Sequence, residues 1–158
     1  MALTRSGTRE WTLGVVAVSC GLHVIDEYVT GWQSWAVPTF GIVMPTTWFF
    51  VMNSVLVAIA LRAASLGWRS PTFSLVIPAA TLVNAVFFHI LPTLLQGRLA
   101  PGLSTACLLY LPFSTWAIVG AIRDGVPRRA VALAMAGGTV MMISVVLGAR
   151  WLSGLGRS

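Results

Sequence analysis

Four acids occur in this chain of 158 residues: Glu10, Asp26, Glu27 and Asp124. Two of them are adjacent and follow a histidine, in His23-Val24-Ile25-Asp26-Glu27, inside an apolar run from Trp11 to Thr30. A charged group at the centre of a membrane helix costs at least about 2.5 kcal/mol, so its default reading is functional. Packing alone gives little reason for a second acid, which adds desolvation without obvious gain. Helical spacing places His23 and Glu27 four apart on one face, with Asp26 on its flank. Ser19 and Thr30 extend the polar stripe. Two acids beside an imidazole can share a proton. Such a cluster offers a general acid and a general base, and it titrates as a unit.

The same residue types admit a metal. Imidazole and carboxylate ligands suit zinc or iron, with His23 and Glu27 as two ligands from one helical face and His89 as a third. The order is not the HExxH of metalloproteases. The Glu-x-x-His repeat of di-iron bundles is absent too. The sequence requires no cofactor, and a divalent metal is compatible with it. Nucleophile chemistry finds no GxSxG, and there is no Gly-rich phosphate loop.

The elements that position these groups are legible in composition. The chain is 57% hydrophobic and 9% charged, with a mean hydropathy of +0.86. A soluble domain carries about 25% charged residues. Runs at 11–30, 47–66, 73–95, 103–122 and 129–151 are long enough to span a bilayer, and backbone satisfaction in lipid makes them helices. The expectation is an all-α, polytopic bundle of about five transmembrane helices, a single domain over 1–158. The first run is too long, and too charged, for a cleaved signal peptide. All ten cations are arginine. Arg5, Arg9, Arg62, Arg69, Arg123, Arg128 and Arg129 fall on one side of such a bundle, and Arg98, Arg150 and Arg157 on the other. The bias puts the N-terminus inside. The arginines form no basic stripe with interleaved aromatics, so nucleic acid is not an expected partner. Cys20 and Cys107 form neither a CxxC pair nor a zinc spacing and read as packing thiols.

Gly31 to Thr46 carries no charge. Pro38 and Pro45 resist a regular helix there, and Trp32, Trp35 and Trp48 suit an interface. The stretch reads as an interfacial or re-entrant segment, or as a short apolar loop. Gly137-Gly138 permits either close helix approach or a bend. With this topology His23 lies roughly 18 Å along the first helix. Asn53, Asn84, His89 and Tyr110 fall at a similar depth in the other runs.

His23-Val-Ile-Asp26-Glu27 resembles the signature of the HXXEE family of small membrane proteins. That signature is an N-terminal His-x-x-Glu-Glu, a later histidine and a Tyr-x-Pro-Gly motif. His89 and Leu99-Ala100-Pro101-Gly102 stand in the corresponding order. Asp26 replaces the first glutamate, and Leu99 replaces the tyrosine. The resemblance implies that His23, Asp26, Glu27 and His89 act as a linked set, and it is silent on substrate. The plan is also similar to that of emopamil-binding-type sterol isomerases, by analogy of architecture alone.

The expected function is acid–base chemistry, of isomerase, cyclase or hydrolase type, on a lipophilic isoprenoid- or lipid-like molecule. His23, Asp26, Glu27 and His89 form the catalytic set. Asn53, Asn84 and Tyr110 position substrate or a water, and Pro101 and Gly102 shape the mouth of the site. The alternative is a proton- or metal-coupled transporter, or an accessory subunit, using the same cluster as a relay or ligand site. The partners are the lipid bilayer and a lipophilic small molecule, with a homo-oligomer open. The expected location is a bacterial plasma membrane, crossed several times.

Overall fold

The structure, a computed structural model, describes residues 9–155. Arg5 and Arg157, used above in the charge bias, lie outside the described residues. All regular structure among the described residues is helical. Five helices are long and apolar enough to cross a membrane. They are α1 (Trp11–Val29), α3 (Thr46–Leu66), α4 (Pro71–Gln96), α5 (Leu103–Arg123) and α6 (Arg128–Leu155). The short helix α2 (Trp32–Phe40) joins α1 to α3. The chain is an all-α membrane bundle, and the observed spans agree with the hydropathy runs to within a few residues.

The bundle wears its apolar residues outward. Val29, Leu94, Leu95 and Leu108 are exposed, as lipid-facing positions should be, while His23, Glu27 and His89 are buried. Helix α1 runs through the middle and packs on α3, α4 and α5. Its inward stripe is Leu13, Val16, Ala17, Cys20, His23, Val24 and Glu27. This is a helical repeat of three and four, so the two titratable groups continue the line of the packed apolar ones. Asp26 falls on the flank, half-buried.

Helix α4 is the second axis, covered along much of its length by α6. A Cβ on Gly138 would stand 2.6 Å from the Ala80 nitrogen and 2.8 Å from the Val76 carbonyl oxygen. Of the two readings of Gly137-Gly138, the structure therefore selects close approach. Lipid gives no hydrophobic drive between helices, so small residues that let backbones meet carry the contact.

Two helices are widened locally. In α4 the segment Ala85–Ile90 is π-helical, just before Pro92. In α5 the π segment is Ala106–Ser114 and contains Pro112. A proline gives up one backbone bond and crowds the preceding turn, which a π turn relieves. The widening has a consequence for packing. Ala106, Tyr110 and Ser114 are all buried, at a spacing of four. That spacing drifts by about 40° per step in an α-helix and stays closer to one face in a wider turn.

The uncharged stretch after α1 departs from expectation, since α2 is helical through Pro38. Gly31 and Gly41, both with positive φ, bracket it, and a proline in so short a helix forfeits a single bond. The extended residues after it are anchored. The Val43 N–H donates to Ser153 Oγ at 2.8 Å, and the Gln33 amide donates to the Met44 carbonyl at 3.1 Å. Cys20 is buried as expected. Cys107 is exposed on the outer surface, contrary to its reading as a packing thiol.

At the opposite end from His23, the other two acids hold the bundle. Asp124 accepts from the Arg9 N–H at 2.9 Å and Trp68 Nε1 at 3.1 Å, and it pairs with the Arg9 guanidinium. Glu10 accepts from the Trp68 N–H at 2.9 Å. Burial works to raise the Asp124 carboxyl, but the Trp68 and Arg9 hydrogen bonds and the Arg9 charge outweigh it and hold it below its ordinary value.

Two outcomes follow for stability in detergent. Gly138→Ala should lower unfolding free energy by about 1–3 kcal/mol through overpacking. Gly137→Ala, whose Cβ meets only Val76 Cγ2 at 3.4 Å, should change it little. The Asp124 contribution is full above the unfolded carboxylate pKa, about 3.9, and is lost as pH falls through the lowered folded value. Thermal melts should therefore separate wild type from Asp124→Asn at pH 7, and the gap should close under acid.

Candidate functional site

The inward face of α1 brings His23 and Glu27 against His89 from the π segment of α4. His23 Nε2 lies 3.5 Å from Glu27 Oε1, and His89 Nε2 lies 3.4 Å from the same oxygen. One ligand-type atom from each residue falls within 4.8 Å of the other two. His89 is fully buried and His23 nearly so. Their rings meet edge to face at 4.7 Å, and the Tyr110 ring packs on His23 at 4.2 Å.

Each imidazole is oriented from behind. His89 Nδ1 is 2.7 Å from the Pro101 carbonyl oxygen, which can only accept, so Nδ1 carries the proton. His23 Nδ1 is 2.7 Å from Thr105 Oγ1. The Thr105 hydroxyl donates to Asp26 Oδ2 at 2.7 Å, so it accepts from His23, whose Nδ1 is also protonated. A relay runs from His23 through Thr105 to Asp26. Both Nε2 atoms are thus left bare, and both are buried without a hydrogen-bond partner.

Asp26 sits beside this centre and holds the start of α5. Its Oδ2 also accepts the Thr105 N–H at 3.2 Å, one of the orphan donors of a helix N-terminus. Thr30 completes the junction, because the Gly102 N–H donates to its Oγ1 at 3.1 Å. Gly102 has φ +78°, and a Cβ there would stand 2.8 Å from Glu27 Cγ and 3.0 Å from Cε1 of each histidine. Only glycine closes the back of the centre this tightly.

The front is a cavity of about 240 Å³. His23, Glu27 and Tyr110 lie on its wall together with Asn53 and Asn84, and the remaining lining is mostly apolar. Asn53 donates to the Phe49 carbonyl oxygen at 2.9 Å. Asn84 Oδ1 is buried with no partner. Helices α3 and α6 both pack on α4 and barely touch one another. Met52, Val55 and Val145 line the cavity and are also exposed, so it opens sideways between α3 and α6. Ile42 and Met44, just after α2, cover part of it.

The residues singled out in the sequence therefore separate into layers. His23, Glu27 and His89 converge. Asn53, Asn84 and Tyr110 share the cavity with His23 and Glu27. Asp26, Pro101 and Gly102 lie behind the centre and are not among the cavity's lining residues. Pro101 and Gly102 thus back the site, whereas the sequence places them at its mouth. Thr105 does not stand out in the sequence. The available signal was an acid near a helix end, which needs donors, and a threonine in the first turn of the helix that follows Pro101-Gly102.

The HXXEE family model, described as a protein of unknown function with HXXEE motif, matches the chain over residues 11–117. No curated protein and no solved structure matches the chain.

Thr105→Val should strand the His23 Nδ1 proton and remove the hydroxyl contact to Asp26 while keeping the backbone one, lowering stability by about 1–3 kcal/mol. Nitrogen-15 spectra of labelled histidine should show His23 losing its single Nδ1–H tautomer while His89 keeps its own. Gly102→Ala combines a left-handed backbone with contact on all three residues. It should destabilise clearly more than Gly97→Ala, which has positive φ but open space, when both are unfolded under the same conditions.

Proposed function

The chain belongs to the HXXEE family, and on that premise we propose that it is an integral membrane enzyme for acid–base chemistry on a lipophilic molecule. One observation carries this reading. A buried His–Glu–His centre borders a largely apolar cavity that opens toward lipid between α3 and α6. Ligand sites of this kind pair a greasy wall with a few polar groups that fix orientation.

The roles follow from position. Glu27, held between two imidazoles, exchanges the proton with substrate or with a water in the cavity. His23 and His89 present their free Nε2 atoms to it and can take up the proton it carries. Asp26, through Thr105, keeps the His23 ring in one tautomer and is a positioning residue. Asn84 Oδ1 accepts from a hydroxyl on the bound molecule, and Asn53 lies on the same wall. An isomerisation, cyclisation or hydrolysis of an isoprenoid or acyl molecule fits this set. The arginine bias supports an N-terminus on the inner side, with the centre nearer the outer leaflet.

The test is chemical and works with an unidentified substrate. A strain lacking the gene is complemented with wild type, Glu27→Gln or Leu56→Trp, the last filling the cavity. Total lipophilic extracts are then compared by mass spectrometry. Wild type should restore a lipophilic product that both variants fail to restore, at matched protein levels and melting temperatures. Identical extracts from wild type and Glu27→Gln would sink the proposal.

A further inference from the structure

We infer that His23, His89 and Glu27 form a three-ligand site for a divalent first-row transition ion, its open position facing the cavity. The inference rests on the centre described above and deepens the proposed function by naming what the centre holds.

The first ground is the donor count. Both Nδ1 protons are committed, to Pro101 and to Thr105. Each Nε2 therefore presents a lone pair, the state in which imidazole binds metal. Glu27 adds a carboxylate oxygen to the same point. Three acceptors converge, and no described residue donates to either Nε2. Lone pairs and a carboxylate facing one another in a buried site repel unless a cation lies between them.

The second ground is distance. A shared proton would draw one nitrogen to within about 2.7–3.2 Å of the oxygen. Here both nitrogens stand off, nearly equally, at 3.5 and 3.4 Å. Ligand atoms 2.0–2.1 Å from a tetrahedral ion are separated by about 3.3–3.4 Å. Both distances to Glu27 match an ion-sized gap better than a hydrogen bond, and the three ligand atoms lie within 4.8 Å of one another.

The third ground is the surroundings. Metal-binding histidines usually donate their other N–H to a carbonyl or carboxylate, which fixes the ring and strengthens the ligand. His89 does this with Pro101, and His23 does it through Thr105 to Asp26. Gly102 closes the rear against all three residues, while His23 and Glu27 border the cavity in front. Three protein ligands with one open position is the arrangement of catalytic rather than structural zinc sites. Two imidazoles and one carboxylate suit zinc or iron better than calcium or magnesium. Such an ion polarises a substrate oxygen or ionises a bound water near neutral pH. One carboxylate leaves a divalent ion with a net positive charge, so the open position favours an anionic or ionisable oxygen on the substrate.

The experiment is a titration of metal-stripped full-length protein in detergent with Co²⁺, read by visible absorption. Zn²⁺ competition and elemental analysis accompany it. Wild type should bind one ion per chain with the spectrum of a low-coordinate nitrogen–oxygen site, displaced by Zn²⁺. His89→Ala and Glu27→Gln should abolish the spectrum. Asp26→Asn and Thr105→Val, which leave the three ligands in place, should weaken binding about 10- to 100-fold. Folded wild type that takes up no stoichiometric Co²⁺ or Zn²⁺ overturns the site, as does binding that survives His89→Ala and Glu27→Gln together. Failure of the ion to bind leaves the lipophilic-extract test standing. An ion bound without any Glu27-dependent product separates the site from the proposed reaction.

Discussion

A carboxylate facing two bare imidazole nitrogens inside a membrane bundle is the constraint around which this structure is organised. Glu27 and both Nε2 atoms are acceptors, brought together where water is scarce. The bundle tolerates the arrangement because each ring is gripped from behind, by the Pro101 carbonyl and by the Thr105–Asp26 pair. The local irregularities serve the same place. The π segment of α4 holds His89, the π segment of α5 holds Tyr110, and Gly102 takes a left-handed backbone against all three residues. Wide turns of this kind recur at functional sites, because they re-aim a side chain without breaking the helix.

The four acids are divided between the two ends of the bundle. Asp26 and Glu27 build the centre, and Glu10 and Asp124 tie the start of α1 to the α3–α4 and α5–α6 connections through Trp68 and Arg9. Between the ends lies a core rich in small residues, including Ala60, Ala63, Ala80, Ala106, Ala117 and Ala134. The division has a physical basis. Lipid competes well with apolar side chains for apolar partners, so helix association relies on close backbone approach and on polar contacts. Each acid here makes contacts between helices, and none is left to face lipid alone.

The family motif acquires a physical meaning from this geometry. Its histidine and final acid are His23 and Glu27 on the buried face, four residues apart. The preceding acid, aspartate here, stands on the flank and reaches Thr105 with its shorter side chain. The later histidine is the third converging group. The Pro-Gly pair supplies the carbonyl for that histidine and the only residue type that fits behind the centre. Leu99 is strongly exposed, so the side chain that differs from the motif's tyrosine points away from the three converging residues.

The five spans, the shared face of His23 and Glu27 on α1 and the grouping of His23, Glu27 and His89 were legible in the chain. The spans and the face of α1 rest on properties carried along one helix, apolar length and a spacing of four, whereas His89 joined the group through its matching depth and the resemblance to the family motif. The flank position of Asp26 was legible too, but not that it would leave the centre to Glu27 and hold Thr105 instead. Neighbouring residues differ by about 100° around a helix, and which of them faces the core depends on where α4 and α5 pack. The helical path through Pro38, the lipid-facing Cys107 and the placing of Pro101 and Gly102 behind the site were likewise settled by packing. Thr105 gained its role because a loop returns the start of α5 to the end of α1, from a distance in sequence that no local pattern spans. Composition and periodicity determined that protonatable groups lie buried in a membrane bundle. Only the tertiary structure decided which of their nitrogens carry protons, because that depends on the acceptors other helices bring to the far side of each ring.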